Sequence, residues 1–335
     1  MSYKVEFRKL GKPEKQLYVK EYKINESLKG KEVLLEVIFF PINPADLLLV
    51  EGRYATPPSS FPASIGAECV ARVIKVGKKV SRFKVNDIAI PLTRNNWVQK
   101  IKVLENNLIK IKSNINLLQA SMLKVNPATA YLMLNNYIKL NTGDKILQNA
   151  ANSGVGSYII QLAKHYKIKT YNIVRRKELI NKLKKLGADK VLLDNKKYKE
   201  IKKLNVKLFI DAIGGHKVNN WAENIQDHGT IINYGLLSGK NIEIDTHKII
   251  FKNISLKGFW LSLWLEKMSY KEKVNLYNHL AELIIKKVLY TKVDKIYHIS
   301  DIKKAVTISN KFKRNGKIIV GFDNNLIKKY SDLLK

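Results

Sequence analysis

The chain has 335 residues, 45% of them hydrophobic, enough to fill two cores of ordinary size, and no apolar run approaches the roughly 20 residues of a membrane helix. Its single cysteine, Cys69, excludes an intramolecular disulfide and a four-cysteine zinc lobe; the apolar setting from Ile65 to Val76 marks it as a small buried hydrophobe. A formal charge of +33 raises the question of nucleic acid, but Lys is spread along the whole chain among Ile, Asn and Tyr, the pattern of AT-rich coding rather than of a basic stripe. Non-specific polyanion binding at low salt is expected, with no specific nucleic-acid partner and no membrane.

The first residues, Met1 to Leu10, carry Lys4, Glu6, Arg8 and Lys9 without an apolar core or a small-residue cleavage site, so no secretory signal is legible. A cytoplasmic home follows by default. The segments Lys31 to Phe40 and Ile65 to Val76 are rich in Val, Ile and Phe and bounded by Pro and Gly, which predicts strands and a mostly β first third. Between them Pro41, Pro44, Pro57, Pro58 and Pro62 mark a long loop from Pro41 to Pro62, a kind of segment that tends to be functional.

After Met122 the rhythm becomes an alternation. Strands are expected at Lys145 to Asn149, Thr170 to Val174, Lys190 to Leu193, Val206 to Ile210, Thr230 to Tyr234 and Ile254 to Phe259, with helices at Val155 to Tyr166 and Lys177 to Leu186. About six strands is what a full dinucleotide-binding sheet needs. The tail, with a helix near Lys271 to Lys287 and a strand at Lys317 to Phe322, returns to mixed character and is expected to rejoin the first domain.

Ala150-Ala151-Asn152-Ser153-Gly154-Val155-Gly156 stands between a strand and a helix, where a glycine-rich phosphate turn belongs. Ala151 and Ser153 replace the first two glycines of G-x-G-x-x-G and only Gly156 is kept, so the motif alone is weak and a plain tight turn is the alternative. Small residues there still admit a pyrophosphate to the helix N-terminus. At the end of the second strand, where an NAD enzyme carries an acid, the residues are Arg175-Arg176-Lys177. Cations suit the 2′-phosphate of NADPH, whereas a carboxylate would repel it; three adjacent cations on a solvated turn is the bland reading.

With these residues in place the chain resembles the medium-chain dehydrogenase/reductase superfamily over nearly its full length, and within it the mitochondrial-type trans-2-enoyl-CoA and enoyl-acyl carrier protein reductases. The segments that carry the likeness are Ile42-Asn43-Pro44-Ala45-Asp46, Glu51-Gly52-Arg53-Tyr54, Asn126-Pro127-Ala128-Thr129-Ala130-Tyr131, Gln148 to Gly156, and Gly258-Phe259-Trp260-Leu261-Ser262. The resemblance implies an α/β protein: a GroES-like β-barrel catalytic domain over 1–122, completed by 265–335, and a Rossmann doubly wound cofactor domain with a parallel sheet over 123–264.

Zinc-dependent relatives carry Gly-His-Glu where this chain has Gly66-Ala67-Glu68, and Asn43 and Ala67 offer no Cys or His, so neither catalytic nor structural zinc has its ligands. Reduction without a Lewis acid suits a conjugated acceptor. The six histidines show no ligand spacing.

The resemblance implies that Tyr54 is the catalytic tyrosine, a phenol that donates to the enolate oxygen as hydride arrives, although a loop tyrosine is more often a packing residue. It further implies that Asn126 touches the nicotinamide side, that Asn152, Ser153, Gly154 and Val155 hold the pyrophosphate, and that Arg175, Arg176 and Lys177 hold the 2′-phosphate. Tyr234, Gly235, Leu236 and Leu237 would cover the nicotinamide ribose, Phe259, Trp260 and Leu261 would line the cleft, and Lys317 would reach back from the tail. Trp260 is read equally well as a core residue. Two segments depart from the pattern, Tyr234 to Leu237 with one small residue lost and Arg94-Asn95-Asn96 without glycines, which bears on substrate fit more than on fold.

The implied reaction is hydride transfer from NADPH to the β-carbon of a trans-2-enoyl thioester, on CoA or acyl carrier protein, in fatty acid synthesis, by a homodimer. An NADPH-dependent quinone or enone reductase of the same superfamily is the nearest rival, and a non-catalytic nucleotide- or RNA-binding member is the reading from another class.

Overall fold

The computed structural model describes residues 1–194, 204–311 and 316–334, and the chain divides into two compact units, Met1–Val125 with Ser269–Lys335, and Asn126–Met268.

The first unit is built around the strand Glu32–Pro41, whose Val33, Leu34, Leu35, Val37, Phe39 and Phe40 are all buried. A strand covered on both faces reads as a continuous apolar run, not as an alternation. One edge pairs antiparallel with Val70–Val76; the other is shared by Lys100–Leu104 along its first half and Lys317–Gly321 along its second. Glu36, the one charge that interrupts the run, stands opposite Arg72 on one side and Lys100 on the other. Cross-strand partners of opposite sign are what let a central strand carry that residue. Val293–His298, Ile88–Pro91 and Leu108–Ile111 complete this seven-stranded sheet, and Leu17–Tyr22, Ser2–Phe7 and Ala63–Ser64 form a small second one.

Two expectations for this unit are corrected. The strand expected from Ile65 begins only at Val70, after the separate Ala63–Ser64 piece. Gly66 breaks it: its φ is +120°, and a Cβ there would lie 2.5 Å from Trp97 Cδ1. The Pro41 to Pro62 segment is not loop throughout, because Pro44–Val50 is helical. Pro44 sits in the first turn, where a missing N–H costs nothing, and Asp46 Oδ2 reaches back to the Asn43 amide at 3.0 Å. In the tail the helix Tyr270–Ile285 starts from Ser269, whose hydroxyl accepts from the Glu272 amide while Glu272 accepts from the Ser269 amide.

The second unit holds six parallel strands in the order Lys190–Leu193, Lys169–Val174, Lys145–Gln148, Val206–Asp211, Ile225–Asn233, Ser255–Gly258. That is third, second, first, fourth, fifth, sixth, the doubly wound order whose crossover point lies beside the first strand. One register row crosses the sheet through Lys190, Tyr171, Leu147, Phe209, Ile231 and Leu256, and its four inner members are core. The fifth strand starts five residues before the expected Thr230. All four residues of the edge strand Ser255–Gly258 are exposed.

Candidate active site

In the first unit Tyr54 follows the turn at Gly52 and packs its ring, half-buried, against the main core. Arg94 lies across it: the guanidinium carbon is 4.7 Å from the ring centroid and Nη1 donates to the phenol oxygen at 3.2 Å. Arg94 comes from the glycine-poor segment after Ile88–Pro91. Asn96 Nδ2 donates to the Thr93 carbonyl at 2.8 Å, and the Asn96 and Trp97 amides bond to Gly66 and Ile65 at 3.2 and 3.0 Å, which fixes the backbone around the arginine.

Behind this pair lies a buried web of charge. Asn43 Nδ2 donates to Glu68 Oε1 at 2.7 Å, the Val125 amide donates to Glu68 Oε2 at 2.8 Å, and Lys317 Nζ donates to Asn43 Oδ1 and to the Ile42 carbonyl. Lys124 Nζ donates to the carbonyls of Ala67 and Thr93 at 2.6 and 2.7 Å. Burial pushes the Glu68 carboxyl up, opposed by Lys317, and burial pulls Lys124 down to about 8, opposed by Glu68. Burial likewise pushes the Cys69 thiol up; it is a core residue, not a nucleophile. Lys124 is a solitary cation in the apolar run Ser121 to Val125. Nothing else in the sequence marks it.

The donor set does not fit a zinc ion. Both ends of the Asn43 amide are engaged, one by a carboxylate and one by an ammonium, and Ala67 brings no ligand atom. Among the described residues no group of three or more His, Cys, Asp or Glu is placed to hold a metal.

The second unit builds the turn after its first strand as a phosphate cradle. Ala150 takes a positive φ of 46°, Ser153 caps the helix Gly154–His165 by accepting from the Gly156 amide at 3.0 Å, and Tyr234 hydrogen-bonds Ser153. Gly156 must be glycine, since a Cβ would lie 2.7 Å from the Ala151 carbonyl oxygen. A Cβ on Gly154 would meet Asn126 Nδ2 at 2.8 Å, so the structure brings Asn126 to this turn. The fit to a dinucleotide pyrophosphate therefore survives the loss of the first two glycines: the backbone is bare where an anion must approach and the amides of a twelve-residue helix open onto it.

Asp211, at the end of the fourth strand, ties the neighbouring turns together. It accepts from Asn149 Nδ2, from Asn233 Nδ2 at 2.7 Å, and from the amides of Ile213 and Gly214. Arg175 and Lys177 are exposed just past Val174, and Arg176 pairs with Glu178 at 3.2 Å. Leu236 and Leu237 are exposed while Gly235 packs on Ala212. The Phe259 to Leu261 segment is anchored by a set absent from the sequence reading: Tyr137 donates to the Gly258 carbonyl at 2.8 Å, accepts from Trp264 Nε1 at 3.2 Å, and both rings pack on Phe259. Lys317 is buried in the first unit, where it donates to Asn43.

A zinc-free barrel-type unit followed by a doubly wound sheet with a capped phosphate turn defines a medium-chain dehydrogenase/reductase. Two family models match, the alcohol dehydrogenase GroES-like domain over residues 29–101 and the zinc-binding dehydrogenase over residues 154–278. Mitochondrial enoyl-acyl-carrier-protein reductase of Dictyostelium discoideum is 35% identical over 92% of both chains. The chain belongs to the family of these enoyl-acyl-carrier-protein reductases.

Among solved structures, an NADPH:quinone reductase of Bacillus thuringiensis superposes with a TM-score of 0.88 at 27% identity, covering 96% of this chain and 100% of that one. The 2-enoyl thioester reductase heterodimer of Candida tropicalis mitochondria superposes with a TM-score of 0.86 at 25% identity, covering 96% and 99%. One of its subunits, Etr1p, has been seen with NADP and crotonyl-CoA. The expectation of a cytoplasmic home is overturned, because the relatives are named as mitochondrial enzymes. That expectation rested on the lack of a recognisable signal, which carries no weight against the family.

Proposed function

We propose that this protein reduces trans-2-enoyl thioesters, carried by CoA or acyl carrier protein, with NADPH, as a step of fatty acid synthesis. The observation that carries the reading is Tyr54 held against Arg94 in a unit whose zinc positions are filled by Asn43 and Ala67. An acid without a metal matches the needs of a conjugated acceptor, in which charge gathers on the thioester oxygen.

NADPH would supply the hydride that adds to the β-carbon, and protonation of the α-carbon then gives the saturated acyl thioester. Ser153, Gly154 and Val155 at the helix N-terminus, with Asn152 before them, receive the pyrophosphate, and Arg175, Arg176 and Lys177 receive a 2′-phosphate of about two negative charges. Tyr234, Gly235, Leu236 and Leu237 cover the nicotinamide ribose, Asn126 contacts the nicotinamide side, and Phe259, Trp260 and Leu261 line the cleft. Tyr54 donates its O–H to the thioester oxygen as that oxygen becomes an enolate, a bond stronger in the transition state than in the bound substrate. Lys317 reaches back from the tail toward the cofactor.

A homodimer is proposed, resting on the exposed edge strand Ser255–Gly258 and its neighbours: Leu256 is 44%, Ile250 62% and Phe251 70% exposed. A second copy adding strand to strand would cover that edge and those side chains. Sedimentation of the purified protein tests it, a monomer overturning the proposal.

A quinone reductase is the second reading, favoured by the TM-score of 0.88 to the Bacillus thuringiensis enzyme. NADPH oxidation with crotonyl-CoA and, in parallel, with a simple quinone separates the two. Turnover of the thioester at least tenfold above the quinone supports the enoyl reductase; the reverse order overturns it.

A further inference from the structure

We propose that Arg94 is a positioning residue for this reaction, which fixes the polarity of the Tyr54 hydroxyl and stabilises the charge that gathers on its oxygen. The proposal rests on the reading of Tyr54 as the proton donor.

A guanidinium has five N–H donors and no acceptor, so the 3.2 Å contact between Arg94 Nη1 and Tyr54 Oη runs in one direction only. The phenol oxygen accepts from Arg94 and enters contact with a substrate oxygen as a donor. The guanidinium also lies over the ring, 4.7 Å from its centroid, so the ring and its hydroxyl are held by one side chain in two ways.

As the Tyr54 proton is drawn toward the enolate, negative charge moves onto the phenol oxygen. A cation in contact with that oxygen is worth more then than in the ground state, which is the condition for raising kcat. Arg94 also interacts electrostatically with one group of each sign, Asp46 and Lys124. Arg94 Nη2 is buried without a hydrogen-bond partner, so the group is held in place at the expense of one donor. Its loop is clamped on both sides, by Lys124 Nζ on the Thr93 carbonyl and by the Asn96 amide on Gly66.

The test is steady-state kinetics with crotonyl-CoA at saturating NADPH for the wild type, Arg94→Gln, Arg94→Lys, Tyr54→Phe and the Arg94→Gln/Tyr54→Phe double variant, each checked for an unchanged melting temperature. Arg94→Gln is expected to lower kcat by about 10–100-fold with KM within about threefold, as loss of a charge-assisted bond to the donor should. Arg94→Lys, which keeps the charge without the planar fork, recovers part of it and serves as the second variant if the glutamine protein does not fold. In the Tyr54→Phe background Arg94→Gln has no further effect. An undiminished effect there, or a rise in KM alone, places Arg94 on the substrate and overturns the proposal. If Tyr54→Phe itself leaves kcat unchanged while Arg94→Gln lowers it, the reading of Tyr54 falls and the proposal with it.

Discussion

The side-chain amide of Asn43 donates to Glu68 at 2.7 Å in the interior of the first unit, and the same amide accepts from Lys317. An asparagine here is both donor and acceptor, so it relays between a buried carboxylate and a buried ammonium. A single substitution here takes a hydrogen bond from two buried charges at once. Asn43→Ala is expected to destabilise the protein by about 3 kcal/mol or more, read as a lower denaturant midpoint at unchanged slope.

Lys124 gives a stability signature in pH. Burial lowers it from 10.5 to about 8, so the unfolded chain binds more protons between those values and stability rises with pH across that window. The cost of burying the ammonium is absent above about 10.5 and complete below about 8. Urea unfolding of wild type and Lys124→Met at pH 7 and pH 10 checks it. The wild type should gain about 2 kcal/mol relative to the variant over that range, and parallel curves would mean that Lys124 titrates normally.

Tyr54→Phe removes one hydroxyl and little packing. The expected outcome is a fall in kcat with crotonyl-CoA of about 100-fold, the size of a lost transition-state donor, with the melting temperature nearly unchanged. The ratio of thioester to quinone turnover is the second readout and should fall in parallel.

For the cofactor, Arg175→Ala with Arg176→Ala should raise KM for NADPH about 10-fold to 100-fold while leaving that for NADH within about threefold. Arg176 gives up only an exposed pairing with Glu178 to reach a phosphate, a pairing of small energy. Equal losses for both cofactors would place the 2′-phosphate elsewhere.

Asp211 organises three turns at the ends of the strands. Asp211→Ala strips acceptors from Asn149, Asn233 and the amides of Ile213 and Gly214, and is expected to cost about 2–4 kcal/mol and to weaken NADPH binding together with it. Calorimetric unfolding and a fluorescence titration of NADPH measure the two effects on one preparation.

The parallel sheet was legible in the sequence because its strands are short apolar runs separated by helices of clear period, and all six are present, the fifth reaching five residues further upstream than expected. The first strand, Ser2–Phe7, was not, because Lys4 and Glu6 read as surface charge. Glu6 is in fact buried, held by Lys4 and by the Tyr18 hydroxyl. The Pro44–Val50 helix was hidden by the same prolines that marked a loop, since composition does not separate a proline that opens a helix from one that ends it. In the candidate site, the phosphate turn was visible through residue type and order, and Tyr54 was singled out through the family resemblance. Arg94, Lys124 and Asp211 were not: their significance lies in partners 40, 57 and 62 residues away, at Tyr54, Ala67 and Asn149, and no local pattern announces such a pairing.

The first unit is discontinuous, and its sheet closes only when Ile319, Val320 and Gly321 pair with Pro41, Phe40 and Phe39. During synthesis the second unit is complete while those residues are still in the ribosome, so it can fold first as an inserted module. Meanwhile the edge of Glu32–Pro41, with Phe39 and Phe40 at its far end, has to wait for the C-terminal strand. A chain that stalls or is clipped before Lys317 would thus display an apolar open edge and an Asn43–Glu68 pair lacking its ammonium, a form recognisable to quality control although its nucleotide unit is already folded.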